Sequence, residues 1–177
     1  MDKKAKNLSH TPYEYSDVIY RYTQLVASGV QSLQDYGTGE LYTSLEVHTV
    51  TLIEENPGIT ASEIAEHNYR TKGAISQILN KLEEKGLIRR EKDPNNARRT
   101  LLYVTVSGLE LSRKHKEYDK FYMGWVLNEG ISLFGYEAME KFYAILEHFS
   151  SDSYLERSKQ FMDENPIDKK SNKREAG

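Results

Sequence analysis

The sequence contains no cysteine, which excludes disulfides, thiolate zinc sites and cysteine-based redox sensing together. It also lacks any apolar stretch near the ~20 residues that a membrane-spanning helix needs, so no membrane association is expected. The opening Met1-Asp2-Lys3-Lys4-Ala5-Lys6-Asn7 carries positive charge with no apolar run behind it. A secretory signal is therefore not supported, and the cytoplasm is the expected location. A Gly-x-Ser-x-Gly elbow, a phosphate-binding glycine loop and a His-Glu-x-x-His pair are all missing, so the sequence gives little support to an enzyme. Net charge is small as well, at -3, which leaves its distribution as the informative quantity.

That distribution is lopsided. Between Arg70 and Arg99 stand nine basic residues (Arg70, Lys72, Lys81, Lys85, Arg89, Arg90, Lys92, Arg98, Arg99) against four acidic ones (Glu83, Glu84, Glu91, Asp93), a local +5 on a chain that is negative overall. A basic island on an acidic protein is the kind of local field that attracts a phosphate backbone. The remaining composition, 38% hydrophobic and 29% charged over 177 residues, suits one compact domain or a small domain carrying extra helices.

Apolar residues from Tyr13 to Asp35 recur at three- and four-residue steps (Tyr15, Val18, Ile19, Tyr22, Leu25, Val26, Val30, Leu33), the period of a long helix ended by Gly37-Thr38-Gly39. Three later positions carry the capping-box pattern: Thr43 with Glu46, Thr60 with Glu63, and Ser107 with Glu110. The first opens a helix running to about Glu55, stopped by Asn56-Pro57-Gly58, and the second a short helix to about His67. Thr71 is the N-cap of a longer helix with a buried stripe of Ile75, Ile78, Leu79 and Leu82, closed by Gly86 as a left-handed cap. Behind Gly86 the pattern changes to strand formers, Leu87 to Lys92 and Leu101 to Val106, around the turn cluster Asp93-Pro94-Asn95-Asn96-Ala97. A β-hairpin with a basic tip is the result. Helices over about 107–128 and 136–149 come next, and from Ser151 the chain turns polar.

The helix from Thr71 to Lys85 carries the functional argument. With its apolar stripe turned inward, Lys72, Ser76, Gln77, Asn80, Lys81 and Glu84 fall on the outer face or its edges. A helix of this width enters the B-DNA major groove, where amide and basic groups read base edges. Gln77 is the leading base contact, with Lys72 and Ser76 next. Thr71, Asn80 and Lys81 suit phosphates, and the amides around Gly73 suit a phosphate at the helix start. A polar helix face standing alone is ordinarily just solvated; here a short helix precedes it and a basic hairpin comes after it.

Residues 43–116 resemble the DNA-binding core of the MarR family of bacterial regulators. The likeness is carried by Thr71-Lys72-Gly73-Ala74-Ile75-Ser76-Gln77-Ile78-Leu79-Asn80-Lys81-Leu82-Glu83-Glu84-Lys85-Gly86-Leu87-Ile88, by the wing segment Asp93-Pro94-Asn95-Asn96-Ala97-Arg98-Arg99, and by Val104-Thr105-Val106-Ser107-Gly108. The resemblance implies a mainly α fold with a small β-hairpin wing (α+β), a winged helix-turn-helix flanked by N- and C-terminal dimerisation helices. It implies that Arg98, beside Arg99, reaches into the minor groove. The chain departs from the family pattern at Asn68-Tyr69-Arg70, where the family usually has an apolar residue, a turn-former and a small β-branched residue, and at Asn96, where the family wing commonly carries an acid that braces the arginine at the place of Arg98.

The resulting organisation is a flexible arm (1–12), an N-terminal dimerisation helix (13–42), the winged helix-turn-helix domain (43–106), C-terminal dimerisation helices (107–150) and a partly disordered polar tail (151–177). Long helices rich in Tyr, Phe, Trp and Leu bury poorly against a small winged domain, so a second copy is expected to cover them. Such a homodimer offers two recognition helices to successive major grooves about 34 Å apart and implies a near-palindromic double-stranded DNA operator.

The resemblance further implies control by a small-molecule effector between the dimer helices and the DNA-binding lobe, where Tyr15, Tyr22, Tyr36, Tyr42, His48, Tyr118 and Trp125 are candidates. Core filling is the alternative role of the same rings. Zinc-sensing relatives carry histidines near His48 and His115, and Asp119 lies four residues after His115 on one helix face. Zinc is thus the one cofactor the sequence raises, against a structural hydrogen-bonding role for His48. A winged-helix module that binds protein in place of DNA is the rival function.

Overall fold

The computed structural model describes residues 9–166. Residues 1–8, most of the expected arm, and 167–177, the end of the expected tail, lie outside the described residues. The elements run α1 (Pro12–Gln31), β1 (Leu33–Asp35), β2 (Leu41–Thr43), α2 (Ser44–Glu55), α3 (Ala61–His67), α4 (Lys72–Glu84), β3 (Ile88–Asp93), β4 (Asn96–Val104), α5 (Val106–Phe134), α6 (Tyr136–Ser150) and α7 (Asp152–Glu164). The fold is mainly helical with a small antiparallel wing, the α+β winged helix expected. No helix among the described residues is long and apolar enough to cross a membrane.

The chain divides after Lys120 into two compact units. The first holds the hydrophobic core, built from Val47, Val50 and Ile53 of α2, Ile64 of α3, Ile75, Leu79 and Leu82 of α4, Leu102 of β4 and Leu111 of α5. Three capping threonines set where these helices begin. Thr43, Thr60 and Thr71 each accept a backbone N–H three residues on, and Glu46 and Glu63 answer the first two reciprocally.

The wing strands β3 and β4 pair antiparallel from Ile88↔Val104 to Asp93↔Asn96, with a register shift between Lys92 and Asp93. Their root is fixed from a third side, because the Gly58 N–H donates to the Leu102 carbonyl (2.9 Å) and the Leu102 N–H to the Ile59 carbonyl (3.1 Å). The turn after α2 thereby acts as a short third strand and holds the wing beside α3.

Four local expectations are corrected. The first helix begins at Pro12 and is capped by Thr11 and Glu14; proline suits the first helical position because its missing N–H has no partner there. That helix does not reach Asp35. Leu33–Asp35 pairs with Leu41–Thr43, and the Asp35 carboxylate accepts the N–H groups of Gly37 (2.7 Å), Thr38 (2.9 Å) and Gly39 (3.1 Å), which turns the chain back. At α5 the Ser107–Glu110 capping box does not form. Thr105 takes that role, donating its hydroxyl to the Gly86 carbonyl (2.6 Å) and accepting the Gly108 N–H (3.1 Å). Within the expected polar tail, Ser151 caps α7, accepting the Tyr154 N–H.

Asn68-Tyr69-Arg70 closes α3 with the bonds of a glycine-type cap. The Arg70 N–H donates to the Ala65 carbonyl (2.9 Å) and the Tyr69 N–H to Glu66 (3.1 Å), while Tyr69 itself takes φ +51°. Left-handed backbone costs a non-glycine residue about 1–2 kcal/mol, and glycine's greater freedom in the unfolded chain offsets part of any gain. Tyr69→Gly is therefore expected to stabilise the chain by about 0.5–1 kcal/mol, read as a rise in the urea midpoint. A fall would mean that the tyrosine ring contributes more than the strain costs.

The second unit contains the end of α5, then α6 and α7. Gly135, at φ +82°, turns α5 into α6. A Cβ at Gly130 would lie 2.5 Å from the Met139 sulfur, so α6 folds back closely on α5. Ser151 reverses the chain again, with the Phe149 and Tyr154 rings 4.9 Å apart. Its apolar side chains remain largely exposed, among them Phe121, Leu133, Phe134, Ile145 and Phe149.

Candidate nucleic-acid interface

Lys72, Gly73, Ser76, Gln77 and Asn80 all lie exposed on α4, on the side opposite Ile75, Leu79 and Leu82. At 1.5 Å per residue this 13-residue helix is about 20 Å long, enough to lie along a major groove. Among the described residues the side chains of Lys72, Ser76 and Gln77 enter no hydrogen bond or ion pair within the protein, and Thr71 uses its hydroxyl as the N-cap. The N–H groups at the helix start open to solvent, and a Cβ added at Gly73 would meet nothing within 4 Å.

The basic island divides into two sets that sequence alone does not distinguish. Five of its cations are held by acidic groups. Lys81 lies 2.7 Å from Glu46, Lys85 is 3.7 Å from Glu40, Arg89 3.0 Å from Glu91 and Arg90 2.8 Å from Glu83. Arg99 lies between Glu63 (3.7 Å) and Asp93 (3.9 Å). The side chains of Arg70, Lys72, Lys92 and Arg98 form no ion pair among the described residues. Arg98 stands with Arg99 along an open groove of about 620 Å³ that Thr60 and Ser62 line from the start of α3. Its backbone N–H donates to the Asn96 carboxamide oxygen (3.1 Å), so Asn96 shapes the wing tip although it carries no charge to brace the guanidinium.

Lys81 has a structural tie besides its place on α4. The Glu46 side chain is 3% exposed against 52% for Lys81, and its other oxygen accepts the Thr43 N–H at 2.7 Å and hydroxyl at 3.0 Å. Burial alone would push the Glu46 carboxyl up, but Lys81 and Thr43 outweigh it and hold it below its usual range. Lys85 reaches across the same region, 4.1 Å from the centre of the Tyr42 ring. Burial and the neighbouring Glu40 carboxylate push the Tyr42 phenol up to about 12.

The aromatic candidates separate as well. Tyr42 belongs to the hydrophobic core, Tyr15 packs its ring on His10 at 5.5 Å, Tyr22 is exposed, and Trp125 stands beside Tyr122 in the second unit. Four others meet: Tyr36 lies 5.4 Å from His115 and 5.2 Å from Tyr118, and His48 lies 4.5 Å from His115, ring centre to ring centre. His115 is buried, its Nδ1 is 3.0 Å from the Thr51 hydroxyl, and its Nε2 is 3.0 Å from an Asp119 oxygen. Ligand atoms of His48, His115 and Asp119 all fall within 4.8 Å of one another. Burial pushes the His115 imidazole down, against the pull of Asp119 and with the help of His48.

Compared with known proteins, residues 42–100 match the model of the MarR family. The transcriptional regulator HosA of Escherichia coli O111:H- is 36% identical over 56 residues, which make up 32% of this chain and 42% of HosA. The chain spans less than half the length of the curated relatives it matches. Among solved structures, Streptococcus pneumoniae FabT in complex with DNA is 26% identical, with a TM-score of 0.55 over 78% of this chain and 96% of FabT. The crystal structure of MarR, 22% identical, shares the fold at a TM-score of 0.59 over 90% of this chain and 98% of that one.

Proposed function

On the match of residues 42–100 to the MarR family model, we propose that the chain is a transcriptional regulator of this family that binds a near-palindromic double-stranded DNA operator as a homodimer. The observation that carries this reading is the exposed, unpartnered face of α4, with Gln77 at its middle, next to an unpaired Arg98 on the wing. Gln77 reads a base edge with Lys72 and Ser76 beside it, the amides around Gly73 take a phosphate, and Arg98 enters the minor groove. Dimerisation rests on the exposed stripe of α1, where Val18, Ile19, Tyr22 and Leu25 are more than half exposed, and on the exposed aromatic side chains of the second unit. Surface of that kind is covered in a stable assembly.

The division of the cations sets the expected salt response. Each neutralised phosphate contributes about -0.9 to the slope of log K against log salt. Four unpaired cations per protomer give a dimer slope of about -7, whereas all nine would give about -16. A titration of the full chain against the promoter beside its own coding region, at several salt concentrations, tests this; affinity that does not fall with salt sinks the reading. Arg98→Ala is expected to flatten the slope by about 2 per dimer and to weaken all sequences alike. Gln77→Ala is expected to cost ~1–3 kcal/mol of discrimination at one base-pair position, and an unchanged preference would remove Gln77 from the reading face.

A second reading, control by zinc, is favoured by the convergence of His48, His115 and Asp119. Two imidazoles and a carboxylate are a donor set zinc accepts, and the Thr51 hydroxyl on Nδ1 leaves His115 Nε2 as its ligand atom. Equilibrium dialysis with metal analysis is expected to find one zinc per chain, lost in His115→Ala. Metal content that is the same in the variant would mean that the cluster is only a polar contact between α2 and α5.

A further inference from the structure

Asn80 stands on the outward face of α4, and its side-chain oxygen accepts a hydrogen bond from Arg90 Nη2 at 2.8 Å. Arg90 comes from β3, and its other terminal nitrogen lies 2.8 Å from Glu83 Oε2, one turn beyond Asn80 on the same helix. One guanidinium therefore bridges two residues of α4. A guanidinium carries five N–H donors and no acceptor. Only the oxygen of the Asn80 amide can face it, which turns the NH2 group away. An exposed asparagine ordinarily offers either end of its amide by rotating about one bond; here that rotation would break the bond to Arg90.

Resting on the DNA-binding reading above, we propose that Arg90 is a positioning residue that fixes Asn80 as a hydrogen-bond donor toward an acceptor on the DNA, either a phosphate oxygen or the acceptor edge of a base. Lys81, next in sequence, and Arg90, next in space, are the cations beside Asn80, yet both are held by carboxylates, Glu46 and Glu83. The contact at this point of the helix is thus delivered by a neutral amide whose direction a neighbouring strand has set. A guanidinium suits this, because its two terminal nitrogens reach Asn80 and Glu83 from fixed directions in one plane, whereas an ammonium carries its three donors on one rotating atom.

The test uses the full chain, a duplex enriched by it from a randomised pool, and a double-mutant cycle between Asn80→Ala and Arg90→Lys. Each single variant is expected to bind the enriched duplex about three- to tenfold more weakly per half-site, the range of one hydrogen bond. The double variant is expected to lose no more than Asn80→Ala alone. Glu83→Ala, which releases Arg90 without altering it, is expected to show a smaller loss that also vanishes in the Asn80→Ala background. A loss confined to one base-pair position assigns the acceptor to a base, and a uniform loss assigns it to the backbone; both support the lock. Losses that multiply in the double variant overturn it, since Arg90 would then act on DNA by itself. An Asn80→Ala variant that binds as the parent does also overturns it, with the DNA-binding reading left standing. Failure of the parent chain to enrich any duplex overturns both.

Discussion

Gly108→Ala is expected to remove a large share of the chain's stability. A Cβ at this position would lie 2.0 Å from the Leu87 carbonyl oxygen, 3.0 Å from its carbon and 3.3 Å from Val104 Cβ. The obstacle is backbone that cannot swing aside, because the same Leu87 carbonyl accepts the Thr105 N–H at 3.0 Å, and Thr105 is the residue that starts α5. Relief requires α5 to lift off the root of the wing, which takes Leu111 out of the core and breaks both Thr105 hydroxyl bonds. The combined loss should exceed about 4 kcal/mol, a large share of the 5–15 kcal/mol that holds a domain of this kind together. Urea unfolding monitored by circular dichroism measures it. A midpoint near the parent's would mean that α5 has room to shift without loss.

Lys81→Ala should give the second largest effect, with a pH signature. It removes the cation from a carboxylate that is almost fully buried. Breaking a buried pair costs about 3–5 kcal/mol, and about 2 kcal/mol is expected here because half of the Lys81 side chain is already in water. In the parent, Glu46 is held below its unfolded value near 4.3. Its stabilisation is full above that pH and is lost as pH falls through the lower folded value. Without Lys81, burial is opposed only by Thr43, and the carboxyl moves up. The gap between parent and variant is then widest near pH 7 and narrows below about pH 4. If Lys81 served only as a phosphate contact, the variant would unfold with the parent at every pH and show a flatter salt dependence of DNA binding instead.

Glu46 and its partners mark where legibility in the sequence ends. Thr43 and Glu46 could be paired by inspection because a capping box is local, spanning one turn. That Glu46 also holds Lys81 depends on the packing of α2 against α4, thirty-five residues apart, and nothing in either segment announces it. The same limit explains why nine basic residues read as one island although five are paired with acids brought in by the fold. Short-range signals fared better: Gly86, Thr60 and Thr71 stand where their chemistry placed them. Two features carried local signals and were still missed. Asp35 ahead of Gly37-Thr38-Gly39 has the side-chain acceptor and left-handed residues of a tight turn, but the apolar period of α1 ran into it and masked the three-residue strand. Ser151-Asp152 is a good helix start, hidden by the polar composition of the chain beyond it.

The uncommitted state of Lys72, Ser76 and Gln77 has an engineering consequence. The residues that hold α4 in place and the three uncommitted ones on its outer face are different residues. Thr71, Ile75, Leu79, Leu82 and Gly86 determine that the helix exists and where it stops, whereas the three outward positions contribute nothing to folding beyond modest helix propensity. A library randomised at positions 72, 76 and 77 should consist almost wholly of folded members, so its survivors would be sorted by target preference alone. The winged domain would then serve as a cassette whose address is rewritten while its frame is kept.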